Sequence, residues 1–214
     1  MKVSIIIPYV YDRGYLLEAV YSASKQKGFQ LGIDYELLLE KADRTLGANI
    51  NEAVKRAKGE YIKILPDDDL LDENCLSILY PFAKDRELDF VCADAVDFGN
   101  ASFKPILKKS TIPNTVADLA RENTIHGGTI LYKRETMPSW DESYWTCEEW
   151  VQSIRMAQAG LRFGYVPGVV FHYRHHTEQK HFDWRKKDGV YRFEIKESIQ
   201  AKYHKDTTLI DKYQ

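Results

Sequence analysis

The feature that most constrains this chain is the alternation of short apolar runs and helix-like segments over its first 93 residues. The apolar runs are rich in β-branched residues and predict buried strands at residues 3–7, 35–39, 61–65 and 89–93. Between them, helical spacing or a capping residue predicts helices over residues 16–23, 50–57 and 72–82. Such alternation produces a parallel, doubly wound sheet, so we expect an α/β fold with a mostly parallel central sheet flanked by helices.

The pattern is less regular after residue 94. A Gly99-Asn100 pair predicts a hairpin over residues 98–106, and further patterns predict strands at 129–132 and 166–173, a helix over 150–161 and a weakly helical tail over 190–203. Residues 175–187 are rich in His, Lys and Arg and lack apolar periodicity, which predicts a mobile basic loop. Because no repeat or low-complexity linker interrupts the 214 residues, we expect a single domain.

Composition excludes several classes of protein. The chain is 44% hydrophobic and 29% charged, which is typical of a globular protein. Its net charge of -2 excludes a nucleic-acid binder that relies on bulk positive charge. No apolar run is long enough for a membrane span, and the first apolar stretch is too short for a signal peptide. The odd set of Cys75, Cys92 and Cys147 predicts reduced thiols and therefore a cytoplasmic protein.

Three consecutive carboxylates, Asp67, Asp68 and Asp69, follow the predicted strand at 61–65. In an open α/β sheet, ligands bind outside the carboxyl ends of the strands. Clustered carboxylates repel one another, and Mg²⁺ or Mn²⁺ prefers oxygen ligands and can bridge to substrate phosphates. The sequence therefore predicts a metal site here, with a solvated acidic turn as the alternative.

Two further groups fall where they could meet a ligand. Tyr9 and Tyr11 follow the first predicted strand at the same sheet edge as the aspartates, where a ring could stack on a base or simply cover the edge. Arg174, His176 and Lys180 belong to a late basic segment that could bind phosphate oxygens or could be solvated. The spacing of its histidines is not that of a zinc site.

Glu148 and Glu149 open the predicted helix at 150–161. Acidic residues in a first helical turn interact favourably with the helix dipole, which is a sufficient structural reason for both. One of them could also act as a general base towards an acceptor hydroxyl. Adjacent helical positions point about 100° apart, so only one of the two can face such an acceptor.

Taken in order, these elements resemble glycosyltransferase family 2, which has the nucleotide-sugar-binding GT-A fold. The resemblance covers residues 3–176 and rests on the strand ending at Pro8 with Tyr9 after it, Gln26, the run from Asn51 to Tyr61, the acids at 67–69, Trp140-Asp141-Glu142, Glu148-Glu149 and Tyr173-Arg174-His175-His176. The chain also resembles the compact glycosyltransferase domains of large algal viruses, which would place it in the host cytoplasm. The resemblance implies a nucleotide-sugar-binding half at 1–94, an acceptor and catalytic half at 95–180 and a tail at 181–214.

The resemblance implies an inverting, metal-dependent transferase that moves a sugar from a nucleoside diphosphate, most often UDP, to a glycan or another hydroxyl acceptor. Its second acid, Glu149, would be the base, and Glu148 would support the helix start or contact the acceptor or donor sugar. Donor contacts would come from Pro8, Tyr9, Tyr11, Asn51, Asp67, Arg174, His176 and Lys180. The sugar and acceptor space would be bordered by His126, Gly127, Gly128, Trp140 and Trp145. Mn²⁺ or Mg²⁺ would be the cofactor.

The sequence departs from the family pattern at two points that leave alternatives open. The family's Asp-Asp-Gly-Ser segment is here Glu40-Lys41-Ala42-Asp43, so either Glu40 or Asp43 would contact the base. The metal pair is either Asp67 with Asp69 or Asp68 with Asp69. The short chain is expected to be a minimal catalytic domain or part of a larger multidomain protein.

Two other classes of function compete with this interpretation. A nucleotidyltransferase also combines an α/β sheet, carboxylates and a divalent metal, but residues 8–14 are not the Gly-rich phosphate loop that it normally has. A non-catalytic nucleotide- or carbohydrate-binding module would explain the aromatic residues. It would leave the carboxylates at 67–69 and 148–149 without a role.

Overall fold

A computed structural model of the chain describes residues 1–41, 43–99, 104–177 and 189–213, with only the backbone of residues 189–193. The described strands are β1 Val3–Tyr9, β2 Tyr35–Lys41, β3 Tyr61–Ile64, β4 Leu70–Leu71, β5 Phe90–Phe98, β6 Ile106–Lys108, β7 Leu131–Lys133 and β8 Phe163–Arg174. The described helices are α1 Leu16–Ser24, α2 Leu46–Val54, α3 Cys75–Asp85, α4 Val116–Arg121, α5 Glu148–Gln158 and α6 Gly189–Tyr203.

The strands form one mixed sheet in the order β2-β1-β3-β7-β5-β8-β4, with β6 paired to β5. Strand β1 is parallel to β2 and β3, and β5 is parallel to β8. Strand β7 lies antiparallel between β3 and β5, so those two strands run in the same direction. The carboxyl ends of β1, β2, β3, β5 and β8 therefore meet at one edge, where an α/β sheet binds ligands.

The predicted α/β class is confirmed, and the difference lies in the second half of the sheet. The predicted strand at 89–93 is parallel to β3 but does not pair with it, because β7 lies between them. Strand β4 is also antiparallel to its partner β8, and β6 is antiparallel to its partner β5. Strand β6 pairs antiparallel with β5, as the predicted hairpin requires, and residues 100–103 between them lie outside the described part.

Two local predictions were wrong: the end of the first strand and the buried face of the first helix. Strand β1 continues through Pro8 to Tyr9, because beyond Ile6 it pairs only with β2. The predicted helix near residue 16 is present as α1, but Leu17 is 77% exposed while Ala19 and Ala23 are buried. Small residues face the sheet there because the helix packs closely against β1 and β4.

Two apolar clusters fill the faces of the sheet. One contains Ile6, Ile62, Phe90 and the buried side of α5, and the other contains Ile5, Tyr61, Leu79 and Phe171. Alternating side chains of β3 therefore enter opposite cores. In the described part of the chain, every helix is too short or too polar to cross a bilayer.

Candidate active site

A cleft of about 790 Å³ opens at the carboxyl edge of the sheet. One wall comes from the segments that follow β1, β2 and β3, and its lining residues are Pro8, Tyr9, Val10, Tyr11, Arg13, Asp43, Arg44, Leu46, Asn49 and residues 66–69. The other lining residues are Glu122, Asn123, residues 145–150, Tyr173 and Lys196. We call these two groups of lining residues the donor wall and the acceptor wall, after the roles that the family resemblance implies for them.

The three aspartates lie together on the donor wall, as predicted. Arg13 donates to Asp67 Oδ1 at 2.8 Å and to Asp68 Oδ2 at 2.9 Å. The Asp69 carboxylate is 2% exposed and accepts the backbone N–H of Arg174 at 2.8 Å. The acids are therefore held by cationic and backbone donors from two distant parts of the chain.

Burial controls the protonation of two of these acids. Burial raises the pKa of Asp67 to about 6, with Arg13 opposing the shift and Asp68 adding to it. Burial also raises the pKa of Asp69 well above its usual range, with the negative charges of Asp68 and Glu149 adding to the effect. The contribution of Glu149 joins the two walls electrostatically, because a nearby like charge disfavours ionisation.

The end of β8 brings the predicted basic residues to the same place. Arg174 donates through Nε to the Asp68 carbonyl at 2.8 Å and pairs with Glu18 at 2.7 Å. His176 Nε2 lies 3.2 Å from Asp68 Oδ2, and its ring packs against Tyr15. Lys180 and most of the predicted basic loop lie outside the described residues.

Of the residues predicted to contact the base, all but one line the cleft. Pro8, Tyr9 and Tyr11 line the cleft, with Tyr11 65% exposed. Asp43 also lines it, whereas Glu40 is buried outside the lining and pairs with Arg44 and Arg56. The geometry therefore favours Asp43 over Glu40 as a ligand contact.

Helix α5 carries the acidic pair into the acceptor wall. Its inner face, with Trp150, Ile154 and Ala157, is buried, and Trp150 Nε1 donates to the Leu119 carbonyl at 2.7 Å. The residue before the helix, Cys147, has a left-handed backbone with φ 59°. For a non-glycine residue such a conformation costs about 1–3 kcal/mol and often occurs at functional sites. Glu148 is buried and Glu149 is partly exposed at the cleft.

Several predicted site residues do not line the cleft. Trp140 is 3% exposed, and its backbone pairs with the Asn51 amide, so both residues join α2 to the chain segment near residue 140. A Cβ at Gly127 would lie 2.7 Å from Glu149 Cβ, and one at Gly128 would lie 2.3 Å from the Phe171 ring. These glycines therefore permit internal packing, where we had expected a close approach to a ligand. Trp145 does line the cleft and is 46% exposed.

His126 precedes this glycine turn and packs against Phe171 and Tyr173 rather than lining the cleft. Burial lowers its pKa to about 4, although the charge of Asp97 opposes the shift. His126 is therefore a neutral packing residue near neutral pH.

Sequence reasoning did not assign several residues of the site. Arg13 comes shortly after the end of β1, and its position beside that strand end was the available signal. Glu122, Asn123 and Lys196 reach the acceptor wall from α4, the following loop and α6, and no local pattern marks them. Buried Lys63 in β3 was also missed, although a lysine within an apolar strand is itself a signal.

The comparisons with known proteins agree with this architecture. Residues 29–139 match the family model described as glycosyl transferase family 2. No curated protein matches the chain.

Solved structures of TarS from S. aureus share the fold. The structure of TarS 1-349 has a TM-score of 0.61 at 16% identity, covering 81% of this chain and 60% of that one. Its complex with UDP-GlcNAc has a TM-score of 0.62 at 16% identity, and the match covers 86% of this chain and 61% of that one. Its complex with UDP has a TM-score of 0.60 at 16% identity, and the match covers 95% of this chain and 70% of that one. The chain thus spans about three fifths of the first two TarS chains, and it has the GT-A fold. Since the family model matches more than half of its residues, the chain belongs to glycosyl transferase family 2.

Proposed function

We propose that this protein is an inverting, metal-dependent glycosyltransferase that uses a nucleoside-diphosphate sugar, with UDP as the nucleotide. The observation that carries the proposal is that the acids at 67–69 and the acids at 148–149, which are far apart in the sequence, line the same cleft. A donor held at the first set would present its sugar to an acceptor held at the second set.

The donor wall supports binding of a nucleoside diphosphate. Tyr9 offers an aromatic face and Asp43 a hydrogen-bond acceptor for the base. Arg13 and the Arg174 guanidinium supply positive charge beside the aspartates, and His176 supplies a ring nitrogen there, where diphosphate oxygens would lie. The TarS structures with UDP-GlcNAc and UDP, which share the fold, favour a uridine donor.

The three aspartates at 67–69 offer the oxygen ligands that a hard divalent cation requires. Carboxylate oxygens suit Mg²⁺ and Mn²⁺, and buried Asp69, which has a strongly raised pKa, would gain most from a nearby cation. Within the described residues, no three His, Cys, Asp or Glu side chains converge as a ready-made site. We therefore propose that Asp69, with Asp68 or Asp67, holds the cation only in part and that donor phosphates complete its coordination. When bound, the cation would supply neutralisation of the leaving diphosphate.

The acceptor wall supports general base catalysis. Glu149 would take the proton from the acceptor hydroxyl as that oxygen bonds to the anomeric carbon. The bond from that carbon to the diphosphate oxygen breaks in the same displacement, and its electron pair leaves with the diphosphate. One displacement inverts the anomeric centre without a covalent enzyme intermediate. The exposed Trp145 offers a flat surface to a sugar ring, which suits a glycan acceptor.

A ligand panel tests the proposal and its rivals. UDP-, GDP- and dTDP-sugars with Mn²⁺ should each raise the melting temperature according to affinity, with a UDP-sugar raising it most. The same UDP-sugar should be hydrolysed slowly, and NMR should detect the sugar first released with inverted anomeric configuration. Binding without any turnover would indicate a non-catalytic module. Release of pyrophosphate from a nucleoside triphosphate would indicate a nucleotidyltransferase.

A further inference from the structure

Lys63 is a fully buried lysine in the middle of β3, the strand that leads to the three aspartates. It pairs with Ile5 of β1 on one side and Leu131 of β7 on the other. Within the described part of the chain, no carboxylate lies within ion-pair distance of its ammonium group. A buried amine without an opposite charge is expensive, so an apolar side chain would be the ordinary choice here.

The environment of Lys63 reflects that cost. Burial lowers its pKa to about 8, although the nearby Cys75 and Asp69 act in the opposite direction. Its Nζ lies 5.4 Å from the centre of the Phe171 ring, which adds a weak cation–π attraction. Near neutral pH the group is therefore still mainly an ammonium, although it is fully buried.

The ammonium group holds one backbone turn. Its Nζ donates to the carbonyl oxygen of Gly128 and lies 3.4 Å from that of Ile64. Gly128 belongs to a 3₁₀ turn over Gly127–Thr129. On its far side this turn packs against Glu149, since a Cβ on Gly127 would lie 2.7 Å from Glu149 Cβ and 2.9 Å from its Cγ. A continuous path of contacts thus runs from Lys63 through the turn to Glu149.

We propose that Lys63 is a positioning residue for the transfer step: it fixes the Gly127–Thr129 turn and thereby the place of the Glu149 carboxylate in the cleft. This inference rests on the proposed role of Glu149 as general base. Lys63 is fully buried and does not line the cleft, so its loss should affect the chemical step and leave substrate binding intact.

The test replaces Lys63 with methionine, which has similar length and no charge. We expect Lys63→Met to lower kcat roughly ten- to hundredfold, the scale of a small misplacement of a catalytic group. The donor Kd by calorimetry and the KM for donor should stay within about twofold. The matched control is Tyr61→Phe, which removes another buried hydrogen bond to a carbonyl, that of Leu88, from the same face of β3. That variant should keep its kcat.

A double mutant separates positioning from a general loss of structure. If Lys63 acts through Glu149, Lys63→Met should cost little further activity in the Glu149→Gln background, because the two effects are not independent. A fully additive loss would overturn the inference, as would an unchanged kcat in Lys63→Met. If that variant does not fold, Lys63→Gln, whose shorter side chain withdraws the donor from the Gly128 carbonyl, should give the same kcat loss with an unchanged donor Kd, and a normal kcat there would equally overturn the inference. Full activity of Glu149→Gln would instead refute the proposed base itself.

Discussion

The donor wall and the acceptor wall of the cleft are built in different ways. The donor wall consists of segments directly after β1, β2 and β3, and its acids are tied by Arg13, Arg174 and His176. The acceptor wall consists of Glu122 and Asn123 after α4, residues 145–150 around the start of α5, Tyr173 of β8 and Lys196 of α6. Its acidic pair follows Cys147, whose backbone is left-handed.

This difference separates two physical problems. Parallel strand ends carry ligand-binding groups to one edge through backbone pairing alone, so the donor wall is stable wherever the sheet forms. The acceptor wall depends on the packing of α5 and of the Gly127–Thr129 turn on the sheet. Changes in the donor wall should therefore alter binding, whereas changes in the acceptor wall should alter the rate of transfer.

The largest expected effect is on the acceptor wall. Glu149→Gln should slow transfer by about 10²–10⁴-fold, the usual contribution of a general base. UDP affinity should remain nearly the same, because the residue acts on the acceptor. Glu148→Gln is the matched control, since that neighbouring acid is buried and points about 100° away. If Glu148→Gln is inactive and Glu149→Gln is normal, the roles are exchanged.

The next effect is on the donor wall. Asp69→Asn should weaken Mn²⁺-dependent UDP binding roughly a hundredfold, measured by calorimetry. The ligand-free variant should have a higher melting temperature at neutral pH. The reason is that burial raises the pKa of Asp69, so the fold loses stability as the pH rises above the pKa that this carboxyl has in the unfolded chain. Glu73→Gln, on the exposed side of a neighbouring loop, should change neither quantity. Unchanged Mn²⁺-dependent binding in both Asp69→Asn and Asp68→Asn would reject the metal assignment.

A smaller effect is expected from the aromatic residues of the donor wall. Stacking of a base on an aromatic ring contributes about 1–3 kcal/mol in nucleic-acid systems. Tyr9→Ala should therefore weaken UDP binding roughly ten- to hundredfold. Tyr11→Ala is the comparison, because Tyr11 lines the same cleft but is 65% exposed. The reverse order of effects in a titration with UDP would assign the stacking to Tyr11.

The smallest effect concerns the support of the acceptor wall and appears only in acid. The pKa of His126 is held at about 4, below its usual value, so the fold loses stability as the pH falls from about 6.5 towards 4. His126→Phe should flatten this loss in melting curves taken across that range. Replacement of the exposed His204 by Gln should leave the curve unchanged. Equal acid sensitivity of His126→Phe and the parent would show that another group causes it.

Much of the donor wall could be predicted from the sequence. The apolar runs gave the positions of β1, β2, β3 and β5, and the acids at 67–69 follow directly from one of them. The acidic start of α5 was visible in the same way. These features are local, because strand periodicity and the residues next to a strand end need no information from elsewhere in the chain.

The errors arose where distant segments meet. Insertion of β7 between β3 and β5 is a pairing choice between segments about 40 to 70 residues apart, and local periodicity carries no information on it. Trp140 and Asn51 were expected near the ligand, but the Trp140 backbone N–H donates to the Asn51 side chain instead. The glycines at 127 and 128 leave space for the side chains of Glu149 and Phe171. In each case the residue type was compatible with both roles, and only packing distinguished them.

By itself the sequence determined the α/β class, the positions of β1, β2, β3 and β5 and the two groups of acids, because apolar periodicity and short-range order are encoded within each segment. The tertiary structure alone decided that the two groups line one cleft, that Arg13 and the end of β8 hold the aspartates, and that buried Lys63 donates to the turn that contacts Glu149. The physical reason is that burial, charge pairing and pKa shifts depend on which distant segments exclude water together. Those partners exist only once the chain has folded.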